Sequence, residues 1–407
     1  MAHPELNLLL LLAVAAAVAV LSNRARLPYA IGLVLAGLAL GNLLPYSGVH
    51  LSKELLFLVF LPGLLFEAAF QIHFPEVWRA RISILTLAVP GLVVATFLTA
   101  LLLCWGVNLL RPGAISFIEA MVFGALISAT DPISVLAIFR TLGVDKRLAV
   151  IVEAESLFND GTAIVIFTIV LAMAAGAELS VGGAVMEFVR VAGLAIAVGA
   201  AVGVSVSLVT RTINDPTIEI TLTVLTAYGA FVVAELLGLS GVIACVVAGM
   251  VTGNWGAQRG MQPATRVAVD AFWSYVAFLL NSFVFLLVGL EINLARLMQY
   301  LPEILIGWVA INVARAALVY SKYAIMRMAG SAGMPASWAA VLCWGGLRGG
   351  LSMVLALSLP RDFGHRDLIL HVTFGVVLMT LLVQGLTIKP LLRAVGLAGA
   401  QGSSNTL

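Results

Sequence analysis

Apolar runs long enough to cross a bilayer follow one another along this chain with only short loops between them. A spanning helix needs about 17–25 predominantly apolar residues. Runs of that kind lie near 6–22, 29–45, 53–72, 82–109, 117–139, 148–175, 182–210, 217–238, 240–254, 269–290, 301–326, 336–358 and 367–394. Hydrocarbon offers no water to a backbone amide, so runs of this length are expected to be helices. The ninth run is short, and the joint at Gly238-Leu239-Ser240-Gly241 leaves a twelve-span count open beside thirteen. Charged residues make up 10% of the chain, where a soluble domain carries about 25%. The expected fold class is therefore an all-α polytopic membrane protein. No cationic stretch precedes the first run, so Met1 to Leu27 reads as a retained span rather than a cleaved signal peptide. A net charge of +2 without a long basic tract points to no nucleic-acid partner. Cys104, Cys245 and Cys343 lie far apart in apolar segments and read as buried thiols.

The basic residues orient the spans. With the N-terminus outside, fourteen of the 22 Lys and Arg fall in cytoplasmic loops, among them Arg24, Arg26, Arg79, Arg81 and Arg140. Five fall outside (Lys53, Arg111, Arg296, Arg361, Arg366), and Arg190, Arg315 and Arg348 fall within spans. The expected topology is N-out and C-in.

Against that background the run from about 148 to 175 stands apart, because its first half reads Glu153-Ala154-Glu155-Ser156-Leu157-Phe158-Asn159-Asp160-Gly161. A charge at mid-bilayer is costly, roughly 2.5–3.5 kcal/mol even on insertion scales, and such residues mark ion or proton paths. In a helix Glu155 and Asn159 share one face, as do Ser156 and Asp160. The two faces converge carboxylate, hydroxyl and amide oxygens, hard ligands suited to a small cation. Glu153 precedes the cluster and suits a cytoplasmic funnel.

Two spans are interrupted. The fifth contains Ser128-Ala129-Thr130-Asp131-Pro132, where proline removes a backbone donor and turns the preceding residue away from helix. The twelfth contains Trp344-Gly345-Gly346-Leu347-Arg348-Gly349-Gly350-Leu351-Ser352, four glycines around an arginine. Broken helices seven spans apart are the pattern of inverted repeats with a site at the midplane. Spans 1–6 and 8–13 would be the repeats, linked by span seven. Asp131 and Arg348 would offset the dipole charges of the half-helix ends. Close helix packing of the small-xxx-small kind is the competing account of the glycines, but it leaves the arginine unexplained.

Other polar residues in spans have blander readings. Arg315 needs a buried anion, with Glu155 the first choice, and reads as a structural salt bridge rather than a working group. Glu67 suits a proton path or a bond to a neighbouring helix equally. Glu235 and Asn281 are expected to make helix-bridging hydrogen bonds, and His73, His365 and His371 to be interfacial.

These motifs resemble a known family. Ser128 to Pro132, Glu155 to Gly161 and Gly345 to Gly349, with Leu27-Pro28-Tyr29-Ala30-Ile31-Gly32, Leu65-Phe66-Glu67 and Asn281 to Leu286, are similar to prokaryotic sodium/proton antiporters of the cation/proton antiporter 1 family (NhaP-type). These are relatives of the eukaryotic sodium/hydrogen exchangers, and the resemblance covers nearly the whole chain. It implies about thirteen helices in two inverted repeats, with the broken helices crossing at the midplane. It also implies a six-helix transport core (approximately 82–175 and 301–394), a dimerisation part (approximately 1–75 and 211–295), a linking helix at 182–210, and a homodimer in a prokaryotic cytoplasmic membrane. By motif match, Asp160 would bind sodium or a proton, with Ser156 and Thr130 supplying further oxygens. Glu155 and Asn159 would belong to the same ion site, Glu155 beside Arg315. Asp131 and Arg348 would stabilise the crossing, and Glu67 and Glu153 are candidates for the proton path. Asn159 directly before Asp160 is the family's mark of electroneutral exchange. A long cytoplasmic regulatory tail, present in some members, is not expected here.

Sodium and a proton would then compete for one carboxylate, giving 1:1 exchange by alternating access. No cofactor is expected beyond the transported ions, with lithium or potassium as other candidate cations and membrane lipid as the surrounding partner. A potassium/proton exchanger on the same scaffold remains an alternative, because selectivity rests on cavity size. A cation channel needs several weak sites along an open path, whereas here the acids concentrate on one helix. An enzyme is not expected, since neither an H-E-x-x-H pair nor a G-x-S-x-G elbow is present.

Overall fold

The computed structural model describes residues 4–25, 27–43, 53–328 and 334–398. Arg26 of the first basic loop and the tail beyond 398 lie outside them. The described chain is all helical, and its helices follow the apolar runs: α1 (Pro4–Ala25), α2 (Tyr29–Leu43), α3 (53–71), α4 (Phe74–Leu110), α5a (Phe117–Ile127), α5b (Ile133–Leu142), α6 (Lys146–Ala174) and α7 (Val181–Thr210). They continue as α8 (Pro216–Leu236), α9 (241–259), α10 (Pro263–Glu291), α11 (Leu301–Met328), α12a (Ala336–Trp344), α12b (Gly350–Leu357) and α13 (Arg366–Ala394). Seven of these (α4, α6, α7, α8, α10, α11 and α13) are long and apolar enough to cross a membrane unbroken.

Local chemistry sets the ends. Asp145, Ser180, Asp215 and Ser240 each accept a backbone N–H in the first turn of α6, α7, α8 and α9, satisfying donors that a helix start leaves orphaned. Ser116 and Glu119 form a reciprocal capping box on α5a. Gly143 and Gly238 end α5b and α8 in the left-handed region, with φ of 64° and 67°. The joint at Gly238 is thus a true helix boundary, and α9 is not short, because a π-helical turn at Thr252–Gly256 carries it on to Arg259.

Two boundaries differ from the sequence expectation. Helix α4 begins at Phe74, so Arg79 and Arg81 sit on its first turns rather than in a loop. A short helix, Leu294–Gln299, caps the connection from α10 to α11. Glu235 accepts from the Gly241 N–H at 3.0 Å, joining α8 to α9 as expected, but among the described residues Asn281 makes no helix-bridging bond and lines a cavity instead.

The helices pack in two sets. Helices α4, α5a, α6, α11, α12b and α13 contact one another in series, while α2 packs on α10, α3 on α9 and α10, and α7 on α8 and α9. The α2–α10 seam is close because Gly37, Gly41 and Gly289 face it. A Cβ on Gly41 would lie 2.7 Å from the Leu290 carbonyl oxygen, and one on Gly289 would lie 2.7 Å from the Leu38 nitrogen. Such backbone approach is how membrane helices gain contact without a hydrophobic drive between them. Gly289→Leu should therefore open the seam and destabilise the protein by roughly 1–3 kcal/mol, read as a lower unfolding midpoint in detergent. Wild-type stability would show the seam is not tight.

Candidate ion-binding site

The two breaks meet in the membrane interior, and each end of each half-helix finds a partner there. The Asp131 N–H donates to the Leu347 carbonyl at 2.8 Å, a main-chain bond between the two unwound segments. The Arg348 Nη1 donates to the carbonyls of Ser128 (2.7 Å) and Ala129 (3.3 Å), just past the C-terminus of α5a. The Arg315 Nε donates to the Leu342 carbonyl at 3.1 Å, in the last turn of α12a. Each negative helix end thus faces a guanidinium. At the positive ends, the Asp131 Oδ1 accepts from the Ile133 N–H at 3.0 Å, opening α5b. Gly349 lies directly before α12b, where a Cβ would fall 2.6 Å from Asp131 Oδ2. Only glycine lets the Asp131 carboxylate come this close to the start of α12b.

Helix α6 runs past this crossing. Glu155, Ser156 and Asn159 are buried, and Asp160 is half-buried. Both oxygens of Glu155 accept from Arg315, at 2.6 and 2.7 Å. A bidentate guanidinium–carboxylate pair is among the stronger hydrogen-bonded arrangements. Asn159 holds the unwound segment: its Oδ1 accepts the Thr130 N–H at 3.1 Å, and its Nδ2 donates to the Thr130 Oγ1 at 2.7 Å. The Ser156 hydroxyl donates to the Thr130 carbonyl. All three polar groups of Thr130 are therefore met from α6.

These bonds divide the expected ligands. A cavity of about 400 Å³ is lined by Thr130, Asp131, Ser156 and Asp160, with Glu67, Glu153, Arg140 and Asn281. Ser156, which uses its proton, and Thr130, which accepts one bond, retain oxygen lone pairs. Asp160 has no hydrogen-bond or ion-pair partner among the described residues. Glu155 and Asn159, expected in the same ion site, do not line this cavity, because their polar atoms hold Arg315 and Thr130. Glu67 lines it and accepts from Gln71 Nε2 at 2.7 Å, and Gln71 reaches Ser274 of α10 at 3.3 Å. Among the described residues Glu67 therefore bonds within its own helix, and Gln71 links it to α10.

Three features escaped the sequence reading. Arg140 lines the cavity, although it was assigned to a loop; Leu142-Gly143, a helix end, is the signal that puts it in the last turn of α5b. The bond from Arg315 to α12a and the Asn159–Thr130 clamp depend on distant segments meeting, and no local pattern announces them. His365 pairs with Glu119 at 3.1 Å, and His371 stacks on Tyr300, both near helix starts. Removing one partner of a buried ion pair strands the other charge. Glu155→Gln is thus expected to cost roughly 3–5 kcal/mol, and the double change Glu155→Gln with Arg315→Met to recover most of it. Thermal unfolding of the four proteins measures this coupling, and additive effects would contradict it.

The likeness to known proteins extends along the whole chain. Residues 9–394 match the family described as sodium/hydrogen exchanger, transmembrane. The Na(+)/H(+) antiporter ApNhaP of Aphanothece halophytica is 39% identical over 403 residues, spanning 98% of this chain and 76% of the relative. The Na(+)/H(+) antiporter NhaH of Halobacillus dabanensis is 36% identical over 405 residues, 96% of this chain and 98% of the relative. Among solved structures, the sodium proton antiporter MjNhaP1 from Methanocaldococcus jannaschii superposes with a TM-score of 0.78 at 19% identity, over 97% of this chain and 99% of that one. With its motifs, its fold and nearly its whole length in agreement, the chain belongs to the sodium/hydrogen exchanger family.

Proposed function

We propose that this integral membrane protein exchanges sodium for protons, one for one, with both ions competing for Asp160. The observation that carries the proposal is the unpartnered Asp160 carboxylate in a cavity that also presents the Ser156 and Thr130 oxygens. Three hard oxygen ligands beside a crossing of half-helices suit sodium. A desolvated carboxylate is unfavourable when bare, and either a proton or a cation relieves it. The loaded site can therefore reorient with either ion and poorly with none. Glu155 and Asn159 support the site from behind, and Asp131, Arg348 and Arg315 hold the broken helices. Glu67 and Glu153 form the acidic approach to Asp160. The two relatives named above are Na(+)/H(+) antiporters, which favours sodium over potassium.

The moving part is a core of approximately 82–175 and 301–394, and the packing of α4, α5, α6, α11, α12 and α13 on one another is consistent with it. The remaining helices, approximately 1–75 and 211–295, form the part that dimerises. Helix α7 packs on α8 and α9, so the linking helix travels with this second part. The distribution of Lys and Arg supports an N-terminus outside and a C-terminus in the cytoplasm, in a prokaryotic cytoplasmic membrane. Homodimerisation rests on family likeness alone.

In sealed proteoliposomes, an imposed sodium gradient should drive proton movement that a potassium/valinomycin clamp leaves unchanged. Asp160→Asn, folded by the same elution profile, should abolish it. Full exchange in the variant would remove Asp160 from the mechanism. Drive by potassium but not sodium would give the scaffold the other substrate, and current without counter-transport would make it a channel.

A further inference from the structure

A second cavity, of about 700 Å³, lies across α6 from the ion cavity, and Leu157 lines both. Its walls come from four helices: Val89 of α4, Phe158 of α6, Ile196 of α7 and Val247 of α9. Thr162 is the one polar residue at its inner end, and its hydroxyl already bonds the Phe158 carbonyl. Along α9 the groove runs from Ile243 to Arg259, roughly 24 Å at 1.5 Å per residue. That exceeds the depth of one leaflet, which is half of the roughly 30 Å hydrocarbon core. Leu85 and Ile196 on its rim are 48% and 49% exposed. A dry apolar groove open on this side meets acyl chains rather than water.

Its polar groups gather at one end. Asn254 and Trp255 lie in the π-helical turn of α9, and Gln258 and Arg259 follow it; such turns are frequent at functional sites. Asn254 builds this end: its Nδ2 donates to the Ile72 carbonyl at 2.9 Å, and its Oδ1 accepts the Phe74 N–H at 2.8 Å. This staples the start of α4 to α9. The guanidiniums of Arg211 and Arg259 sit over the Trp255 ring, 4.4 and 5.7 Å from its centroid. Among the described residues neither arginine has a carboxylate partner. The ring thus holds two unneutralised cations at the mouth of an acyl-sized groove.

We infer that this groove binds one anionic phospholipid, its acyl chain between α6 and α9 and its phosphate at Arg211 and Arg259. Charge complementarity commits the site to an acidic headgroup, since a zwitterionic one would bring its own cation to the same two arginines. The site stands apart from the sodium/proton reading, and its test uses no transport.

Native mass spectrometry of delipidated protein, titrated with phosphatidylglycerol or phosphatidylcholine, decides it. Wild type should retain one phosphatidylglycerol per protomer in preference to phosphatidylcholine. The Arg211→Gln/Arg259→Gln double variant, changed at exposed positions, should lose roughly thirtyfold in that retention, from about fivefold per basic residue. Ala192→Trp, which fills the groove, should abolish retention with both arginines intact, and Val247→Trp serves if Ala192→Trp elutes as misfolded. Equal retention of the two lipids, or retention unchanged in the arginine double variant, would overturn the anionic site. Retention unchanged in the filling variant would place the lipid elsewhere.

Discussion

Backbone groups freed at mid-membrane have no water to bond, so a helix broken there survives only where protein replaces what was lost. Two such breaks lie side by side in this structure, and the rest of the site follows from how they are repaired. The main-chain bond from Asp131 to Leu347 ties one unwound segment to the other. Arginines stand at the two C-terminal ends, Arg348 beside α5a and Arg315 beside α12a. One carboxylate, Asp131, serves the two N-terminal ends, because Gly349 leaves room for it. A single charged group at each position would be costly to bury alone. Set against helix dipoles, each is compensated within one turn.

The same economy of partners explains why three acids near the crossing differ in their contacts. Glu155 is bound at both oxygens by Arg315, and Asp131 is engaged by the start of α5b. Among the described residues Asp160 has neither kind of partner, and it faces the cavity. Asn159 sits between them and must both donate and accept, since it meets the Thr130 hydroxyl and the Thr130 N–H together. An ionised aspartate there could accept but not donate. An amide at 159 therefore holds the unwound segment without adding a second titrating charge next to Asp160.

The fold was largely legible in the chain because hydrocarbon allows so few solutions. Span positions and both interruptions could be read from apolar length, proline and glycine, while the short ninth run left the joint at Gly238 open. What escaped was of two kinds. Arg79, Arg81 and Arg140 were read as loop residues because basic residues near span ends look like loops, yet helices α4 and α5b run on through them. The division among Glu155, Asn159 and Asp160 escaped because helical spacing places all three near one another without saying which partners arrive from other helices. Arg315 and Thr130 are 160 and 29 residues from the α6 groups they bond, and only the folded crossing brings them in. The groove beside Phe158 was invisible for a related reason, as four separate apolar faces make it.

The central claim is that sodium and a proton exclude one another at Asp160. Isothermal titration of sodium into purified protein, in buffers of different ionisation enthalpy, counts the protons released on binding. The account predicts close to one proton released per sodium bound wherever the site starts protonated, and loss of both binding and release in Asp160→Asn. Sodium binding with no proton release across that range would contradict it, because the two ions would then occupy different places.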